Sequence, residues 1–155
     1  MTSTIVTQHN VGGLGKVKRL SAAASGTAGG TGDNTQVTGV SIDRMVGGAL
    51  AGSIALAIIG ETTLAAAATL SLAYTVQDSA DSSNWTTYAT GANAVISTGA
   101  SGGSTNTIEQ DIDVDLGSAK RFVRILFTPD LSAANTDTFA LRAVGFLAGF
   151  DRVPQ

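Results

Sequence analysis

The chain has 155 residues, a net charge of −3, one histidine and no cysteine. That length suits one domain with its own core, and the missing cysteine excludes disulfides, thiolate zinc sites and a cysteine nucleophile. A lone His9 gives little material for Ser-His-Asp chemistry or a His-rich metal site, and 14% charged residues leave no basic footprint for nucleic acid. Half the chain is small, with 24 Ala, 19 Gly, 14 Ser and 20 Thr. Such a surface is neutral and low in side-chain entropy, which suits packing against neighbours in an assembly.

Residues 1–10 show no cationic stretch ahead of an apolar run, so no signal peptide is read there. Residues 2–6 and 16–20 read as short strands of an N-terminal arm. Residues 21–36, with ASGTAGGTGDNT at their centre, lack apolar periodicity and large side chains, and read as a loop or mobile linker. The expected division is therefore an arm and linker over 1–36 and a β-sandwich domain over 37–155. The longest apolar stretch, 45–59, is shorter than the roughly 20 residues of a spanning helix and holds Gly47, Gly48 and Gly52. It reads as one or two buried strands around a glycine turn, with no membrane partner.

Alternation with period two then recurs. It runs through Val40 and Ile42, through Ile54, Leu56 and Ile58, through Leu70, Leu72, Tyr74 and Val76, and through Ile112, Val114 and Leu116. Residues 122–127 are almost continuously apolar around Arg124, and 138–147 carry Phe139 and Leu141 on one face. Turn clusters at 78–84, 98–106, 117–119 and 129–137 separate these segments. The run Ala65, Ala66, Ala67, Ala68 has helix propensity, so a short helix over 63–69 stays open beside the strand reading, as does one turn over 133–135. About eight short strands with such loops predict an all-β chain, a β-sandwich with jelly roll the leading topology.

Three patterns carry candidate chemistry. In YTVQDSADSSNWTTY, 74–88, Asp78, Asp81 and Asn84 offer hard oxygen ligands for calcium. The spacing is not an EF-hand and no glutamate closes the loop, so a polar hairpin turn anchored by Trp85 is the preferred reading. Glu109, Asp111, Asp113 and Asp115 fall on one strand face, where four carboxylates repel. A metal, a basic face supplied by Lys120, Arg121, Arg124 or Arg142 of this or a neighbouring copy, and plain solvation of an edge strand all remain open. A row on one strand does not flank a glycosidic bond from two sides, which disfavours glycosidase chemistry. GGLG (12–15) and GGTG (29–32) lack the Gly-Lys-Ser/Thr ending of a phosphate loop and read as flexible backbone. No catalytic or metal site is expected, nor any cofactor.

Two segments together, LSLAYTVQDSADSSNWTTYATG (70–91) and RFVRILFTPDLSAANTDTFALRAVGFLAGFDRVP (121–154), resemble small virion proteins of tailed bacteriophages. The likeness lies in a strand ending in QDSAD before a Trp, an RFVR strand, and a late apolar strand closing on GFDRVP. It is similar to head decoration, or cement, proteins of the jelly-roll kind. The resemblance implies a non-enzymatic protein, made in the host cytoplasm and bound outside an icosahedral head. It implies a homotrimer that clamps adjacent major capsid subunits, whose partners are the major capsid protein and sister copies. On that reading Ile5, Val6, Val11, Leu14, Val17 and Leu20 of the arm are the expected capsid or subunit contacts. Arg121 and Arg124 are the expected partners of the acidic strand. The alternatives are a tail or neck component and a glycan-binding jelly roll using Trp85, Tyr74 and Tyr88.

Overall fold

The computed structural model describes residues 13–132 and 136–152. Five short strands come first: β1 (Lys16–Arg19), β2 (Ala24–Thr27), β3 (Val37–Thr38), β4 (Ile42–Asp43) and β5 (Met45–Val46). Six long ones follow: β6 (Ala49–Leu64), β7 (Thr69–Ser79), β8 (Thr86–Thr98), β9 (Ser104–Asp115), β10 (Phe122–Leu131) and β11 (Thr138–Phe150). No α-helix occurs among the described residues.

The strand pairs are nested. β1 and β2 pair with β11, β3 and β4 with β10, β6 with β9, and β7 with β8, all antiparallel. This is one long hairpin with its tip at 80–85. Rolling it up sets β11 beside β6 and β10 beside β7. Two sheets result. Sheet A runs β1/β2–β11–β6–β9, with β5 continuing beside β6, and sheet B runs β3/β4–β10–β7–β8. That is the strand order of a jelly-roll sandwich.

The core fills the space between the sheets. Ile54, Leu56, Ile58, Ile112, Val114, Leu141 and Leu147 enter it from sheet A, and Leu70, Leu72, Val76, Val123, Ile125 and Phe127 from sheet B. These are the apolar members of the alternating segments, as period two requires of a sheet with one face buried. The 45–59 stretch folds as a two-residue hairpin. Gly47 (φ 54°) and Gly48 (φ 76°) supply the paired positive φ of its turn, and β6 follows directly.

The N-terminal division does not hold. β1 and β2 are strands of sheet A, and Leu20 is 2% exposed within the core. A Cβ on Gly145 would meet Leu20 Cδ1 at 2.8 Å, so the glycine of β11 makes the hole that Leu20 fills. The 21–36 tract is tied down rather than mobile. Asp33 accepts the Gly29 and Leu131 N–H groups at 2.7 and 2.9 Å, and Asn34 N–H donates to the Pro129 carbonyl at 3.0 Å. Its missing periodicity has a steric cause. Gly26 lies under the Phe139 ring, whose Cε1 would sit 2.4 Å from any Cβ there. The sandwich thus includes the described chain from Lys16 onward. The expected strand at 2–6 and turn at 133–135 lie outside the described residues.

One open alternative closes and one smaller expectation changes. Residues 65–68 form a turn, with Ala67 at φ 61° and the Ala67 N–H donating to the Gly99 carbonyl, instead of a helix. Pro129, Asp130 and Leu131 extend β10 rather than opening the next loop. Pro129 is tolerated because β3 ends opposite Phe127, so no ladder donor is needed on that side.

Replacing Leu20 by Ala should lower stability by about 2–5 kcal/mol, read from the denaturant midpoint, while Val17→Ala should stay within about 0.5 kcal/mol. An unchanged midpoint for Leu20→Ala would return that residue to an arm outside the core.

Candidate functional site

The hairpin tip is closed by its own side chains. Asp81 accepts the N–H groups of Asn84 (2.8 Å) and Ser83 (2.9 Å), the Asn84 side-chain amide (2.7 Å) and the Ser79 hydroxyl (2.9 Å). These donors, the two backbone N–H groups foremost, hold its carboxyl far below the ordinary range. Its oxygens are committed to the turn, as the polar-hairpin reading requires.

Asp78 faces the other way. It is 5% exposed and accepts the Thr86 hydroxyl (2.6 Å), the Lys120 N–H (2.9 Å) and the Lys120 ammonium (3.2 Å). Burial pushes its carboxyl up, but the Thr86 and Lys120 donors outweigh burial and leave it below the usual carboxylate value. Asp78 therefore ties β7, the start of β8 and the β9–β10 loop together. Among the described residues no group of three His, Cys, Asp or Glu converges as a metal site.

Three of the four cations expected to face the acidic strand, Lys120, Arg121 and Arg124, are used elsewhere. The Arg121 guanidinium forks onto Asp43, with Nη2 to Oδ2 at 2.7 Å and Nε to Oδ1 at 3.1 Å. That hydrogen bond, against a smaller effect of burial, holds the Asp43 carboxyl below its usual range. Arg124 donates from Nε to the Gln77 side chain (2.8 Å) and lies 4.3 Å over the Trp85 ring. Both arginines belong to sheet B or its approach, whereas β9 belongs to sheet A, so neither pairs with the acidic strand of its own chain. The aromatics of the glycan alternative are likewise engaged. Trp85 lies under Arg124, the Tyr88 hydroxyl donates to the Asp115 carbonyl (2.7 Å), and Tyr74 covers Gly91. Arg44, 3% exposed, donates to the Leu116 carbonyl between the sheets, and burial lowers its pKa.

The remaining surface of interest is the outer face of sheet A. Antiparallel partners point to the same side, so the register gives its rows directly. Arg19, Val144, Ala57 and Asp111 form one row, and Val17, Phe146, Ala55 and Asp113 the next. Arg142, Ile59 and Glu109 share a third. A groove of about 380 Å³ lies between Val17 and the two aspartates, with Ala55, Ala57, Val144 and Phe146 on its floor. A second depression beyond Asp113 and Ala55 continues it toward Asp115 and Ala148.

Of the expected contact residues, Val17 is 76% and Leu14 39% exposed. Leu20 is core, Arg121 and Arg124 are paired within sheet B, and Ile5, Val6 and Val11 lie outside the described residues. Sequence reading missed Lys16, Lys18 and Arg19 as an edge and Ala55, Ala57 and Val144 as a floor. The KVKR alternation at 16–19 was the available signal.

No family model matches the chain, and no curated protein does. Among solved structures it is similar to capsid chains of infectious bursal disease virus. It shares 12% identity with the Gx-strain structure at a TM-score of 0.46, over 90% of this chain and 34% of that one. It shares 13% with the T13 viral particle (TM-score 0.47; 87% and 31%) and 13% with the derived T=1 particles (0.47; 90% and 33%). The chain spans about a third of the length of each.

The depressed pKa of Asp78 fixes the sign of a pH effect. Its contribution is present above the unfolded value of about 3.9 and is lost as pH falls through the lower folded value. Asp78→Asn should cost about 1–3 kcal/mol at pH 7 and flatten the loss of melting temperature below about pH 4. Parallel melting curves for the two proteins across that window would refute the role given to this carboxylate.

Proposed function

We propose that the chain is a non-enzymatic structural component of a tailed-phage virion. In this reading it is made in the host cytoplasm and binds the outside of the capsid as a homotrimer, stabilising the shell by clamping adjacent major capsid subunits. Binding the assembled shell but not free subunits stabilises the shell by mass action, and many copies add avidity.

One observation carries the reading. The two segments that resemble decoration proteins, 29 residues apart in the chain, lie against each other. Gln77 and Trp85 of the first bind Arg124 of the second, and β7 pairs with β10 along its length. The QDSAD strand and its Trp and the RFVR strand therefore form one contiguous part of sheet B, while β11 of the second segment lies in sheet A. The engagement of Trp85, Tyr74 and Tyr88 within the fold gives the glycan-binding alternative no such support.

The test is decoration of phage heads prepared without this chain. Added protein should bind to a fixed copy number per head, appear in particle reconstructions as density on the outer shell, and raise the temperature at which the heads disrupt. Density confined to the tail or neck would replace the reading with the tail-component alternative, and no binding to any part of the particle would overturn it.

A further inference from the structure

Sheet A ends in two open edges of opposite charge. On one side stands β1, Lys16–Arg19, with Arg19 on the outer face and Lys16 and Lys18 in the rows of Leu147 and Gly145 on the other. On the other stands β9, whose Glu109, Asp111, Asp113 and Asp115 are all exposed. None of Arg19, Arg142, Glu109, Asp111 or Asp113 forms an ion pair among the described residues, in contrast to Lys120 and Arg121. Within one chain, Arg19 and Asp111 share a row but stand three strand spacings apart, about 14 Å, with Val144 and Ala57 between them.

The geometry points to a head-to-tail contact between copies, in which the β1 edge of one chain docks against the β9 edge and adjoining groove of the next. This deepens the self-association part of the reading above and rests on it. Four features of the fold select a second copy as the occupant.

First, sheet A is four strands wide and antiparallel throughout, so β1 and β9 run in opposite directions. A neighbour in the same orientation therefore presents β1 antiparallel to β9 and continues the sheet. Second, the charged halves of both edges lie at the same height. β1 shares rows with residues 111–114, and β2 with 105–108. An unshifted neighbour sets Arg19 beside Asp111 and brings exposed Val17 to the apolar side of Asp113. Third, the neutral halves are already covered. The 28–32 turn bridges β2 at Thr27, and Asn106 of β9 donates to Ser97 and to the Thr98 carbonyl of β8. Among the described residues, the stretches around Arg19 on β1 and Asp111 to Asp113 on β9 remain open. Fourth, sheet B offers no rival edge, because β8 carries three register shifts and β3 and β4 have two residues each.

Like charges keep each edge from pairing with its own kind, so the contact is heterologous and closes into a ring or runs on as a filament. A homotrimer is the smallest ring of this kind.

The experiment compares full-length proteins by light scattering. Wild type should give a multimer. Reversing one edge, by Asp111→Lys with Asp113→Lys or by Val17→Glu with Arg19→Glu, should reduce the mass to 15.5 kDa. Combining both reversals should restore the multimer. Because the chain has no cysteine, Arg19→Cys with Asp111→Cys gives a second readout that requires no charge reversal. Oxidation should link copies into covalent multimers, while either single cysteine should not link. A wild-type mass of 15.5 kDa at every concentration, with no cross-linking, overturns this contact together with self-association and leaves capsid binding to its own test. A multimer indifferent to both reversals, or cross-linking through a single cysteine, overturns this contact alone. Should a reversed variant lose its β circular dichroism, the cysteine pair decides.

Discussion

The pairing of β6 with β11 positions everything else in sheet A. It runs from Ala51 opposite Phe150 to Thr63 opposite Thr138, and β1, β2, β5 and β9 all attach to one of these two strands. A slip of one residue would exchange the core and outer faces of the sheet. Aliphatic character alone does not prevent it, since β6 is apolar on both sides around Ala55, Ala57 and Ile59. Local fits do. A Cβ on Gly60 would lie 2.0 Å from the Ala140 carbonyl oxygen, and the Thr62 hydroxyl, buried, donates to the Thr138 carbonyl at 2.8 Å. On the outer face Thr63 and Thr105 join through their hydroxyls at 3.0 Å.

The two sheets treat charge differently. Sheet B and its loops consume theirs internally, through Lys120 with Asp78 and Arg121 with Asp43, while Arg124 is held by Trp85 and Gln77. These contacts lock the loops at one end of the sandwich. Sheet A leaves Arg19 and the carboxylates of β9 at its two edges, with Val144 and Ala57 between Arg19 and Asp111. Side chains this small cannot carry a charge across the sheet to its counterpart. The low charge content of the chain is thus unevenly spent, and the acidic row reads as a feature of one edge rather than of the whole surface.

Strands whose inward positions are large were legible in the sequence. Leu70, Leu72 and Val76 of β7, Ile112 and Val114 of β9, and Phe139 and Leu141 of β11 all announce their inward face through period two. β2 was not legible, because Phe139 across the ladder supplies the bulk that Gly26 lacks. β8 was only half legible. Three register shifts break its alternation, two of them at Tyr88 and Ile96, whose side chains still pack against the core. The outward run of carboxylates was readable as a pattern, but of its expected counter-charges only Arg142 shares sheet A with β9. Which cations share a sheet with β9 depends on how the hairpin rolls, and no local spacing encodes that. Assigning Leu20 to an arm failed for a related reason, since the cavity that receives it is made by Gly145, more than a hundred positions away.

The nesting of the strand pairs also orders them by the length of chain each must close. β7 and β8 meet across a six-residue tip, whereas Lys16 meets Leu147. Closure entropy rises with loop length, and chains dominated by distant pairings fold slowly, in milliseconds to seconds. If the hairpin zips from its tip, β1 is the last strand to find its place. The basic edge then exists as an ordered strand only after the interior has formed, so the folding order itself separates maturation of the single chain from its meeting with another.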